Sequence, residues 1–263
     1  CYRSFPKEQV LARHIMGHTH LHSKMYSTIE KEWMLDNSNM FLYTVRDPID
    51  RIISAYNYHR AESRNRETHH RFYQTCFPDG LDTLISVLNC KGNTESLMKC
   101  RDFGLTTLQG NIPDVGRYQS GQHFFFNYRH YIRKTLDVRP EHAVAVIRTE
   151  YMWHDVIELD LALGGSGKFS NAGFIKTHGS ENWKYDTNIT SSNTQYLCCL
   201  IYDELAAYQD LVLRAFNLND TEKGDAINFV LSRCQIDISE YTPEHQFSWS
   251  KFYNETCSSI LEC

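Results

Sequence analysis

No stretch of this chain is apolar for long enough to cross a bilayer as a helix, which takes roughly 20 residues. No two cysteines stand as C-x-x-C, so the usual spacing of zinc sites and thioredoxin-type redox centres is missing. The pattern G-x-x-x-x-G-K-[ST] does not occur, which argues against a P-loop nucleoside kinase. Repeats, low-complexity tracts and any convincing Gly/Ser/Pro linker are also missing, so residues 1–263 are read as one domain. The formal net charge of −5 supplies no overall attraction for nucleic acid. The chain opens on Cys1, without methionine or an apolar leader pattern. We therefore expect an N-terminally truncated chain, whose membrane contact is limited to an anchor upstream of Cys1.

What is present is an ordinary globular composition, 41% hydrophobic with six prolines. Its charge is uneven. Residues 51–71 hold five arginines against Glu62 and Glu67, with His59, His69 and His70 between them. A basic segment of that kind suits a sulfated or carboxylated substrate, or is simply a solvated surface. Residues 235–263 form an acidic C-terminal extension, with five carboxylates against Lys251. Nine cysteines, several of them clustered, accompany N-x-T sequons at Asn188, Asn219 and Asn254. Together they point to a secretory compartment.

Two strand-to-helix units stand out. In the first, 40–45 is an apolar run, Arg46-Asp47 the turn, and a helix is predicted from Pro48 to about residue 60. Asp47 suits the N-cap, and Pro48 suits the first helical position, where its missing N–H costs nothing. Ile49, Ile52, Ile53 and Tyr56 form the apolar stripe, which leaves Arg51, Ser54 and Tyr58 on the opposite face. In the second unit a strand at 142–150 leads into a helix through Leu163, which Gly164-Gly165 should stop. Both strands are nearly continuous apolar runs, as in a parallel sheet covered by helices on both faces. A long helix is predicted over 192–216, with Leu197, Ile201, Leu205, Tyr208 and Val212 as its core stripe, and another over 119–136. The phenylalanines at 124–126 read as core. Segment 61–120 reads as loops with short helices, and 164–190 as a long loop.

A helix N-terminus that follows a strand offers free N–H groups and a positive dipole end, and Arg46 adds a planar fork of donors. Ser54, two turns on, can serve the same anion. The competing reading pairs Arg46 with a structural carboxylate and leaves Ser54 facing solvent. The run R-D-P-x-x-R-x-x-S-x-Y, Arg46 to Tyr56, resembles the 3′-phosphate motif of the sulfotransferases that use 3′-phosphoadenosine 5′-phosphosulfate (PAPS). It is most like the Golgi carbohydrate sulfotransferases, including the heparan sulfate 2-O type. The resemblance implies an α/β fold: a parallel sheet flanked by helices, the P-loop-nucleotide-hydrolase-like sulfotransferase fold. It assigns Arg46 and Ser54 to the donor's 3′-phosphate.

Fainter likenesses run along the chain. Gly17-His18, in MGHTHLHSK, looks like the G-H of the 2-O group, which makes His18 the implied catalytic base, with His20 and His22 as alternatives. Residues 146–156 are similar to the family's second strand and acidic turn. Residues 176–188 stand where a late loop closes over the nucleotide, and Lys184 and Thr187 are the implied donors there. The family's 5′-phosphosulfate loop, with its lysine, is not found: Pro6-Lys7 is followed by Glu8, Gln9 and Val10 in place of small residues. Either that loop lies before Cys1 or the protein lacks it. The expected activity is sulfuryl transfer from PAPS to a hydroxyl of an acidic glycan or another acceptor, with no metal, in the Golgi lumen as a type II membrane protein. The alternative is a catalytically silent relative that binds glycans or acts as a scaffold.

Overall fold

The computed structural model describes residues 35–36, 38–62, 80–88, 95–108, 126–168, 187–237 and 247–258. In chain order the elements are β1 (Met40–Val45), α1 (Pro48–Glu62), α2 (Leu81–Leu88), α3 (Glu95–Leu108), α4 (Tyr128–Lys134), β2 (Ala143–Arg148), α5 (Met152–Ala162), α6 (Ser191–Leu200), α7 (Tyr202–Arg214), α8 (Asp220–Arg233) and α9 (Trp249–Phe252). A 3-10 turn (Thr149–Tyr151) joins β2 to α5, and a π-helical turn (Tyr253–Cys257) follows α9. The protein is thus mixed α/β, mostly helical with a small parallel sheet. Two compact units divide the chain: 1–46 with 131–179 and 210–223, and 47–130 with 180–209 and 224–263.

The first unit holds the sheet. β1 and β2 run parallel, in register from Met40 opposite Ala143 to Val45 opposite Arg148. β2 is buried from Val144 onward, as expected of a strand covered on both faces, whereas β1 alternates, with Tyr43 and Val45 buried and Leu42 and Thr44 exposed. On the far side of β2, Ala215 forms a single parallel bridge to Val144, and Phe216 N–H donates to the Val144 carbonyl. One position further the ladder is completed by a side chain. Asn217 Oδ1 accepts from Val146 N–H (2.9 Å) and its Nδ2 donates to the Val146 carbonyl (2.8 Å). α5 packs on β2 through Val156 and Leu159 against Ala145 and Ile147, with Met40 and Leu163 at the margin. Each such buried aliphatic side chain contributes about 1.5–3 kcal/mol. α5 stops as expected: Gly164 takes φ +82°, and the N–H groups of Gly164 and Gly165 return to the carbonyls of Leu161 and Asp160.

In the second unit α2 packs on α3 and α6, and α6 on α1 and the π-helical turn. Ile49, Ile52 and Tyr56 of α1 are fully buried. Two buried disulfides fasten α6: Cys198–Cys234 to the end of α8, and Cys199–Cys257 to the C-terminal turn. Cys100 is disulfide-bonded as well. Part of the acidic C-terminal stretch is anchored too. Trp249 is buried and donates through Nε1 to Gln209 Oε1 (2.9 Å), and Gln209 Nε2 donates to the Phe247 carbonyl (2.9 Å). These disulfides suit a secreted or luminal compartment. No helix among the described residues is long and apolar enough to cross a membrane.

Three elements differ from the sequence reading. The helix expected over 192–216 is two, α6 and α7, because Ile201 leaves helical geometry (φ −108°, ψ 22°) and its carbonyl takes the N–H groups of Glu204 and Leu205. The apolar stripe runs through the break in one phase, so periodicity could not reveal it. The helix expected over 119–136 begins, within the described residues, at Tyr128, capped by Asn127 Oδ1 on His130 N–H (2.8 Å). α8 was not anticipated. Its sequence signal is a capping box: Asn219 Oδ1 accepts from Glu222 N–H (3.0 Å), and Glu222 Oε2 accepts from Asn219 N–H (2.8 Å).

Candidate functional site

The C-terminal edge of a parallel sheet is where α/β proteins tend to place ligands. Here β1 ends at Val45 and β2 at Arg148, and an arginine stands at each exit, Arg46 and Arg148. They differ in what they can offer. Arg46 keeps 42% of its side-chain surface, and its Nε lies 3.6 Å from Glu150 Oε1, itself 37% exposed. That is a loose, solvated pair, worth at most about 1 kcal/mol. Arg148 is buried and committed. Its backbone N–H and Nε donate to Asp155 Oδ2 (2.7 and 2.9 Å), Nη2 donates to Asp155 Oδ1 (2.6 Å), and its guanidinium lies 4.6 Å from the Tyr151 ring centre.

Around Arg148 gathers a cluster that the sequence reading did not single out. Glu222 Oε1 takes His154 Nε2 at 2.5 Å and Arg148 Nη2 at 3.4 Å. Partial burial works against ionisation of Glu222, but the Asn219 N–H, His154 and Arg148 hold its carboxyl below the usual range. His154, Asp155 and Glu222 present ligand atoms within 4.8 Å of one another. Asp155, however, spends both oxygens on Arg148, so the guanidinium already supplies the positive charge a metal would bring.

In the second unit the start of α1 is built by Asp47. Its Oδ1 accepts from Asp50 N–H (2.9 Å), the N-cap bond anticipated from sequence, and its carbonyl accepts from Arg51 N–H. Arg233, at the end of α8, donates through Nη1 to Asp47 Oδ1 (2.8 Å) and Asp50 Oδ1 (2.6 Å). Asp47 Oδ2 is buried with no hydrogen-bond partner among the described residues. Burial, only partly offset by Arg233, pushes the Asp47 carboxyl up to about 6.

Arg51 is the main correction to the expected polar face. Its Nε binds Glu204 Oε1 and its Nη2 binds Oε2 at 2.5 Å, a two-pronged pair with a carboxylate that is 1% exposed. Burial holds Glu204 above the ordinary carboxylate range, with Arg51 pulling the other way. Arg51 therefore serves the interior and not a substrate. Ser54 is half-buried on α1 and Tyr58 exposed, and Thr187 is exposed ahead of α6. His18, with His20 and His22, and Lys184 lie outside the described residues, as do 63–79 of the basic stretch. No protein-family model, curated protein or solved structure matches the chain.

Proposed function

We propose that this chain is a PAPS-dependent carbohydrate sulfotransferase with the P-loop-nucleotide-hydrolase-like sulfotransferase fold, acting in the Golgi lumen. The observation that carries the reading is the junction at residues 46–48. A strand of a parallel sheet ends at an arginine that keeps a solvated guanidinium, and two residues later a helix begins, capped by the motif's own aspartate. The R-D-P motif needs a strand exit and a helix start of this kind, and Arg46 brings to the turn a planar fork of donors suited to a phosphate.

In this reading Arg46 and Ser54 hold the donor's 3′-phosphate, and Lys184 and Thr187 close over the nucleotide. His18 takes the proton of the acceptor hydroxyl, a role suited to an imidazole near neutral pH. The acceptor oxygen bonds to sulfur as the bond from sulfur to the phosphate oxygen breaks, and the 3′,5′-bisphosphate departs in line. The Arg46–Glu150 pair is weak and solvated, and a phosphate would displace it.

A second reading, a silent glycan-binding or scaffold relative, is favoured by one specific observation: the motif's other arginine, Arg51, is spent on Glu204. Calorimetry with 3′-phosphoadenosine 5′-phosphate tests the nucleotide half-site. Binding that is lost with adenosine 5′-phosphate and with Arg46→Ala supports it. Absence of binding by the folded full-length protein refutes it. Sulfation of an acidic glycan by that protein then separates enzyme from silent relative.

A further inference from the structure

Asn188-Ile189-Thr190, Asn219-Asp220-Thr221 and Asn254-Glu255-Thr256 have the acceptor pattern for N-linked glycans. A sequence match is weak by itself, because many such tripeptides fold into interiors or into bonds that use the carboxamide nitrogen. Here all three asparagines are exposed. The same chain closes buried disulfides, which form in the oxidising compartment where these glycans are attached.

The three settings differ. Asn188 lies in the irregular stretch 187–190, two residues before the α6 N-cap Thr190, whose hydroxyl oxygen accepts from Asn193 N–H. It follows Thr187 directly, so a glycan there flanks the loop assigned above to the donor. Asn219 caps α8 through Oδ1, the atom a glycan leaves alone, since the sugar bonds to Nδ2 and the carbonyl persists. Glycosylation is therefore compatible with the cap. Asn254 stands within the π-helical turn Tyr253–Cys257, three residues before Cys257, which is fully buried and bonded to Cys199 of α6. A transferring enzyme must hold the acceptor tripeptide away from its own protein. A helical turn tethered at Cys257 cannot be drawn out in that way.

We propose that Asn188, Asn219 and Asn254 are N-glycosylation sites, and that closure of the Cys199–Cys257 disulfide competes with glycan transfer to Asn254. In the transfer, Asn Nδ2 bonds to the anomeric carbon of an oligosaccharide carried on a polyprenyl diphosphate. The bond from that carbon to the diphosphate oxygen breaks, the lipid diphosphate leaves, and the nitrogen gives up one proton. This inference does not depend on the sulfotransferase reading.

The test is glycopeptide mass spectrometry on the full-length protein made in cultured animal cells, taken from total lysate so that misfolded variants are counted. Expected are near-complete occupancy at Asn188 and Asn219, partial occupancy at Asn254, and loss of one glycan with each Asn→Gln variant. Cys199→Ser with Cys257→Ser raises Asn254 occupancy severalfold and leaves Asn188 and Asn219 unchanged. Dithiothreitol during synthesis of the wild-type protein does the same without any substitution. Bare asparagines at these sites overturn the assignment. Full occupancy of Asn254 in the untreated wild type, or occupancy that neither treatment raises, overturns the competition.

Discussion

Replacing Arg51 with methionine removes the guanidinium that meets both oxygens of Glu204 and leaves a carboxylate that is 1% exposed. Breaking a buried pair from one side typically costs 3–5 kcal/mol. The Tyr128 N–H also bonds Glu204, so we place the loss near the lower end, about 3 kcal/mol. Its pH dependence identifies the cause. Burial already holds Glu204 above its ordinary value of 4.5, and without Arg51 the carboxyl rises further. A folded-state value above the unfolded one means that the native protein binds the extra proton. Stability is then highest below the unfolded value and falls as pH rises toward the folded one. The deficit of Arg51→Met against wild type, from urea unfolding with disulfides intact, should be small near pH 4.5 and reach about 3 kcal/mol by pH 7.5. Arg51→Met with Glu204→Leu should recover most of it, because no uncompensated charge remains. A deficit under about 1 kcal/mol at pH 7.5, or one that does not vary with pH, would refute the argument.

Asp47→Asn keeps the cap acceptor but removes a carboxyl pushed from 3.8 to about 6. Wild type loses stability relative to this variant as pH rises from about 4 to about 6, by about 3 kcal/mol in all, readable from unfolding midpoints at pH 4 and pH 7. Gly165→Ala puts a Cβ 2.3 Å from Asp160 Oδ2, the atom that accepts from Gly167 N–H. A loss of about 1–3 kcal/mol is expected, visible as faster exchange of amide hydrogens in β2 and α5. Opening Cys198–Cys234 or Cys199–Cys257, which close separations of 36 and 58 residues, should cost about 4 kcal/mol each by the chain-entropy relation, measured as the fall in urea midpoint of the paired Cys→Ser variants. Under the proposed function, Glu150→Gln removes the negative charge that competes for Arg46 and tightens 3′-phosphoadenosine 5′-phosphate binding by at most about fivefold in calorimetry.

Local chemistry was legible in the sequence. The bounds of β1, the Asp47 cap, the buried Ile49–Ile52–Tyr56 stripe and the Gly164 stop all depend on interactions within about one helical turn or one strand repeat. The α8 capping box belongs to the same class, since Asn219 and Glu222 stand three positions apart in the sequence. Arg51 was misread for a physical reason. A polar face turned to solvent and a polar face turned to one buried carboxylate have the same periodicity.

What only the tertiary structure decided is which distant groups meet. Glu204 lies 153 positions from Arg51, and Arg233 lies 186 from Asp47. Asn217, 71 positions from Val146, stands in for a strand, and no strand propensity marks a carboxamide for that task. Cysteine pairing joined neighbours Cys198 and Cys199 to separate partners, a choice composition leaves open. Caps, turns and stripes follow from residues a few positions apart. The partners of charged groups, and so which arginine is buried against a carboxylate and which keeps a solvated side chain, follow from where the folded chain brings them.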